Sequence, residues 1–163
     1  MINLTDKQIA EYFKRSYTAS DGLWFMKMEE KYGFDEALDI DNEVWKVLPK
    51  IQARALKGMG NLKDGLQGLR ECVTTRLTLE GFTFEDEPMN QENHLKITIH
   101  ECPWHNLMIK SNRVHLSERV GTRICNTEYQ VLASEFGDGI DFQLQTQICK
   151  GEKCCALLFT LID

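Results

Sequence analysis

The 163-residue chain carries 19 Lys and Arg against 25 Asp and Glu, a net charge of −6, with 42% hydrophobic and 27% charged residues. This is the composition of a globular chain long enough to bury a core as a single domain, 1–163, without staples. It argues against sequence-independent nucleic-acid binding, which needs a basic face. The acidity is uneven: residues 1–80 hold 12 basic and 13 acidic groups, whereas 81–163 hold 7 and 12. No apolar run approaches the roughly 18 residues of a membrane span. Met1-Ile-Asn-Leu-Thr-Asp lacks the basic and apolar regions of a signal peptide. The expectation is a cytoplasmic protein, where six reduced cysteines read as metal ligands, reactive thiols or small core residues before disulfides.

Residues 5–80 form a helical half. Thr5-Asp-Lys-Gln8 has capping-box spacing, followed by Ile9, Tyr12, Phe13 and Tyr17 at helical intervals. Leu23, Trp24, Met28 and Tyr32 continue the pattern to a stop at Gly33, with a kink expected near Ser20-Asp21-Gly22. Asp35 reads as the N-cap of the next helix, whose apolar face is Leu38, Val44, Trp45, Leu48, Ile51 and Leu56. Pro49 should divide it near Leu48, and Gly58-Met-Gly60 should end it. Asn61 reads as the cap of a further helix to about Glu80, with Leu62, Leu66, Leu69, Val73 and Leu77 as its stripe and Gly81 as its stop. Gly65 and Gly68, each costing about 1 kcal/mol in a helix, point either to close approach by another backbone or a ligand or to a loosely held surface helix.

At Gly81 the period changes to two. Phe82 and Phe84 alternate, Pro88–Asn93 is a turn, and His94–Cys102 is a strand with Leu95, Ile97 and Ile99 on one face. Pro103 ends it. After an irregular link, a helix runs from about Thr122 to Phe136, stopped by Gly137-Asp-Gly139. A final hairpin spans Asp141–Ile162. The fold class is therefore α+β: N-terminal helices packed on a C-terminal antiparallel sheet, with one intervening helix.

The cysteines cluster in the strand-rich half, 81–163. A four-residue hairpin loop, Lys150–Lys153, would set Cys149 opposite Cys154 and give Cys155 to the core; a one-residue slip would exchange Cys154 and Cys155. Opposed strand residues have Cβ atoms about 4.5–5.5 Å apart, suitable for two thiolates on one ion. Cys125, Tyr129, Leu132 and Phe136 share one helix stripe, with Glu128 beside Cys125. His100 and Cys102 share a strand face. The candidate metal ligands are Cys102, Cys125, Cys149 and Cys154, with His100 and Glu128 as alternatives. Four such groups suit tetrahedral zinc, and four cysteines an iron–sulfur cluster. Cys102 with His100 or His105 could form a nucleophile–base pair, but no serine-hydrolase elbow, phosphate loop or His-Glu-x-x-His occurs. The catalytic residues are left open.

Several segments carry a resemblance. Ser16-Tyr-Thr-Ala-Ser-Asp-Gly-Leu-Trp-Phe-Met-Lys, Val44-Trp-Lys-Val-Leu-Pro-Lys, Cys102-Pro-Trp-His, Thr127-Glu-Tyr-Gln and Ser134-Glu-Phe-Gly look like an uncharacterised family of anaerobic archaea and bacteria. That family is distantly similar to L-2-amino-thiazoline-4-carboxylate hydrolase-like proteins. The helix-then-hairpin with its cysteines also resembles the 4-vinyl-reductase-type ligand-binding domains of phenol-sensing regulators. The first resemblance implies a hydrolase of a small cyclic C–N or C–S compound. The second implies a small-molecule pocket beside a structural zinc, held by a cysteine near the helix and by an acid and two cysteines on the hairpin. Cys125, Cys149 and Cys154 match those cysteines, and Thr146 stands where the acid is expected. The fourth ligand would then come from Cys102, His100 or Glu128. The expected function is a metal- and small-ligand-binding protein without nucleic-acid or membrane partners. A small-heterocycle hydrolase and a protein-interaction module are the alternatives, and self-association is left open.

Overall fold

A computed structural model describes residues 2–87 and 93–162. Among them lie six α-helices and a four-stranded antiparallel sheet, in the order expected of an α+β chain. The chain divides into two compact units, residues 1–41 and 42–163.

The first unit is dominated by α1 (Asp6–Tyr32). Its capping box forms as expected: Gln8 N donates to Thr5 Oγ1 at 3.3 Å, and Thr5 N donates to Gln8 Oε1 at 2.9 Å. The expected kink at Ser20–Gly22 is absent. Gly22 weakens a helix but does not block its hydrogen bonds as proline would, so α1 runs unbroken to Gly33. Gly33, at φ +93°, donates its N–H to Glu29 O and ends the helix. Helix α2 (Phe34–Trp45) starts immediately after it. Asp35 is therefore not the N-cap; it lies in the first turn, where its charge favours the helix dipole.

In the second unit Pro49 does divide the pattern, opening α3 (Leu48–Gly60) from within its first turn, where its missing N–H costs nothing. Asn61 takes the opposite role to the expected one. In the left-handed region at φ 52° it closes α3, and α4 (Leu66–Glu80) begins only after Gly65. The close approach expected at both glycines is found only at Gly68, where a Cβ would lie 1.8 Å from the Lys63 carbonyl oxygen; Gly65, at φ +94° before the helix, has nothing among the described residues within 4 Å of its added Cβ. Gly81 ends α4 in the left-handed region, as expected.

The strands are β1 (Thr83–Asp86), β2 (His94–Glu101), β3 (Ile140–Thr146) and β4 (Cys155–Leu161), ordered β1-β2-β4-β3. The turn expected at Pro88–Asn93 lies, up to residue 92, outside the described residues. Alternation holds on β2: Leu95, Ile97 and Ile99 are buried. With Phe142, Leu157 and Phe159 they pack against Leu69, Val73 and Leu77 of α4, Tyr129 and Leu132 of α6 (Ser117–Ser134), and Phe136 just after it. Tyr129, Phe142 and Phe159 form an aromatic trio with ring centroids 5.0–6.4 Å apart. Burying each such ring is worth about 1.5–3 kcal/mol.

The link after Cys102 is more ordered than expected. Pro103 ends the strand and also opens α5 (Pro103–Lys110), and α6 starts at Ser117 rather than near Thr122. The hairpin register differs too. Phe142 pairs with Phe159 and Leu144 with Leu157, two residues away from the expected pairing, with an irregularity before Thr146 pairs with Ala156. A two-residue shift keeps every side chain on its face, so the apolar face survives while the tip changes. Residues Ile148–Lys150 form a 3-10 turn, and Cys149 does not pair with Cys154 across a ladder.

Candidate functional site

Four of the cysteines, each on a different element, act electrostatically on one another. Cys102 is the N-cap of α5; its Sγ accepts from His105 N at 3.5 Å. Tethering of α5 holds it there: Trp104 Nε1 donates to Glu80 at 3.4 Å, and the Trp104 ring meets Trp45 edge-on at 6.3 Å. Cys125 lies on α6, one turn before the buried Tyr129. Cys149 sits in the 3-10 turn, against Gly121 of α6, where an added Cβ would come within 2.8 Å of its Sγ. Cys155 opens β4 opposite Ile99, and its Sγ accepts from Ile148 N at 3.3 Å.

Burial governs the chemistry of these thiols. It pushes Cys102 up to about 11, an effect the His105 N–H partly offsets and neighbouring Cys155 and Cys149 reinforce. Burial also raises Cys125 strongly, with Cys102, Cys155 and Cys149 adding to the shift. Cys149 and Cys155 are raised for the same leading reason. Each thiolate would disfavour the next, so the group is assembled as neutral thiols at pH 7.

A polar anchor fixes the hairpin tip to α6. Gln147, 3% exposed, donates Nε2 to Gly121 O at 3.2 Å and accepts from Thr122 Oγ1 at 3.4 Å. Beside the thiols lies a buried ionic group. Arg76 of α4 pairs with Glu128 through Nη2 and with Glu80 through Nε at 3.1 Å, its guanidinium 5.5 Å from the Tyr129 ring centroid. Burial raises the Tyr129 phenol well above its ordinary range, with Arg76 opposing the shift.

Of the sequence-derived set, Cys102 and Cys149 act on Cys125, as does Cys155, whereas Cys154 acts on Cys155. Cys155, expected in the core, also packs against it. Cys154 Sγ lies 3.8 Å from Thr146 Oγ1. His100 is on the outward face of β2, 3.6 Å from Glu85, and Glu128 is committed to Arg76. Among the described residues, no three His, Cys, Asp or Glu side chains stand at metal-holding geometry. A zinc or iron–sulfur centre is therefore not preformed in this arrangement.

Sequence reasoning missed Arg76, Gly121 and Gln147. Arg76 and Glu128 were legible in principle: each is a charge set on the apolar stripe of its own helix, Arg76 three residues after Val73 and Glu128 beside Tyr129. Opposite charges on two apolar stripes signal a buried pair. Gly121 and Gln147 carried no such signal.

The raised thiols make stability depend on alkaline pH. Cys72 and Cys102 are both pushed to about 11 from an ordinary value of 9.0, mainly by burial. Between pH 9 and 11 the unfolded chain releases thiol protons that the folded chain keeps, so stability falls as pH rises and is undiminished below 9. Urea midpoints at pH 8, 9.5 and 11 should show this fall, with a shallower slope in Cys102→Ser. An unchanged slope would refute the burial of Cys102.

Among the described residues, no helix is long and apolar enough to cross a membrane. No curated protein matches the sequence. A family model matches residues 4–157, which include all six cysteines and the Arg76 pair, and the chain belongs to that family, DUF6125, a family of unknown function.

Proposed function

We propose that this protein binds a thiophilic ligand in its C-terminal half, a soft metal ion of the zinc class being the simplest, through Cys102, Cys125, Cys149 and Cys155. What supports this reading is that four thiols on four different elements act on one another's ionisation, with Cys149 held against Gly121 of α6. Four isolated core cysteines would not need a glycine opposite one of them and a buried glutamine pinning its turn. Because the thiols are neutral in the free protein, capture of such an ion would release protons. Cys155 replaces Cys154 in the ligand set expected from the sequence, which also removes the need for His100 or Glu128 as a fourth ligand. A small organic ligand beside the ion, as in the 4-vinyl-reductase-type domains, belongs to the same proposal.

Metal analysis of anaerobically purified protein, with cadmium or cobalt titration followed by charge-transfer absorption, tests it. The expected result is about one equivalent of ion. Cys125→Ser and Cys149→Ser should abolish binding, Gly121→Ala should weaken it by displacing Cys149, and Cys154→Ser should leave it intact. An absorption band near 400 nm in the purified protein would select an iron–sulfur cluster. Absence of bound ion together with no response to added cadmium would overturn the proposal.

A further inference from the structure

Helix α1 carries none of the cysteines. No residue of this 27-residue helix is buried, although it carries large apolar side chains. Tyr12, Phe13, Leu23 and Trp24 are 63%, 65%, 57% and 44% exposed. Exposed apolar surface of this extent on one element marks an interaction face.

The order of residues along that face identifies the occupant. At 100° per residue, Ile9, Tyr12, Phe13, Ser16, Ser20, Leu23, Trp24 and Lys27 fall within a stripe roughly 120° wide. The stripe reads nearly the same in both directions about position 18. Ile9 and Lys27 are equidistant from it, as are Tyr12 and Trp24, Phe13 and Leu23, and Ser16 and Ser20. A two-fold interface has this property, because the same patch must complement itself. Small hydroxyl side chains at the centre let two backbones approach closely, and the bulky pairs on either side interdigitate. Tyr12 and Phe13 already meet edge-on at 5.5 Å, making one apolar ledge. In the reversed copy this ledge faces Leu23 and Trp24, and Ile9 packs on the aliphatic stem of Lys27.

Charge fixes the direction. Asp6 and Lys31 lie at opposite ends of the helix, on the same flank of the stripe and almost equidistant from its centre. An antiparallel pair sets each opposite the other's opposite charge, twice. A parallel pair would put each of these charges on the opposite flank from its symmetry mate and bring neither to its opposite charge. Antiparallel pairing also aligns the helix dipoles favourably. We infer that α1 is the interface of an antiparallel, two-fold symmetric homodimer, in which Tyr12 and Phe13 of one copy pack against Leu23 and Trp24 of the other.

Sedimentation of the full chain over a range of concentrations tests this inference. The expected result is a dimer that Phe13→Glu weakens by at least about 30-fold, as for a central aromatic anchor. Asp6→Lys and Lys31→Asp should each weaken it by about 3-fold, and the double swap should restore it. Far-UV circular dichroism checks that α1 remains helical in each variant. A monomer at all concentrations, or a dimer indifferent to Phe13→Glu, would overturn the inference. Failure of the double swap to restore affinity would overturn the antiparallel arrangement.

Discussion

Replacing Arg76 with methionine should lower the unfolding free energy by about 3–5 kcal/mol, the usual cost of stranding one member of a buried ion pair. Arg76 is 4% exposed and Glu128 6%, so the orphaned carboxylate cannot reach water without moving α6. Glu80, with a side chain 13% exposed, loses its ion-pair partner as well and keeps the Trp104 N–H. The double variant Arg76→Met with Glu128→Leu should recover most of the loss, because a packed apolar pair of similar volume replaces two desolvated charges. The sign of the pH response follows. In the single variant, burial without a counter-charge raises the Glu128 carboxyl above its unfolded value. The penalty is then present at neutral pH and fades as pH falls and protonation removes the charge. Urea unfolding of both variants at pH 7 and pH 5 measures this. A loss below about 1 kcal/mol in the single variant would show that the carboxylates are effectively solvated.

Gly68→Ala should destabilise the protein by about 3 kcal/mol or more, although alanine ordinarily favours a helix over glycine by about 1 kcal/mol. The new Cβ would lie 1.8 Å from the Lys63 carbonyl oxygen and 3.3 Å from the Phe136 ring. The carbonyl belongs to the backbone of the α3–α4 link, which is tied in place by Gly65 N donating to Phe136 O at 2.7 Å, so it cannot simply rotate away. Gly22→Ala in α1 is the matched control. Nothing lies within 4 Å of its added Cβ, and that variant should gain about 0.5–1 kcal/mol. Thermal or urea unfolding of the pair reads both signs. Equal effects from the two substitutions would refute the close approach at Gly68.

Local backbone chemistry and tertiary packing contribute differently to this fold. The period-two alternation of Leu95, Ile97 and Ile99 needed no tertiary knowledge, since a strand half-buried in a sheet leaves that trace. The same holds for the Thr5–Gln8 box and the Gly33 and Gly81 stops, which are local backbone chemistry. The α5 helix escaped notice because Cys102-Pro-Trp-His reads first as a strand ending in proline, while proline is equally at home in the first turn of a helix. Asn61 was misread because asparagine serves both as an N-cap and as a left-handed closing residue, and only the path of the following chain decides between them.

The candidate site divides along the same line. The amino-acid order determined that the cysteines gather in the strand-rich half, on elements able to face one another, and that α1 carries a nearly palindromic apolar stripe. Those are properties of spacing along one element, and local periodicity preserves them. Which thiols meet was decided only in three dimensions. The pairing of β3 with β4 is offset by two residues, Ile148–Lys150 coils into a 3-10 turn, and Gln147 and Gly121 draw that turn onto α6. Cys149 and Cys155 thereby act on Cys102 and Cys125, and Cys154 acts on Cys155. A ladder shift of two residues costs nothing in side-chain alternation, so the linear pattern is silent about it. The packing of the hairpin tip against a helix is what selects one register over the other.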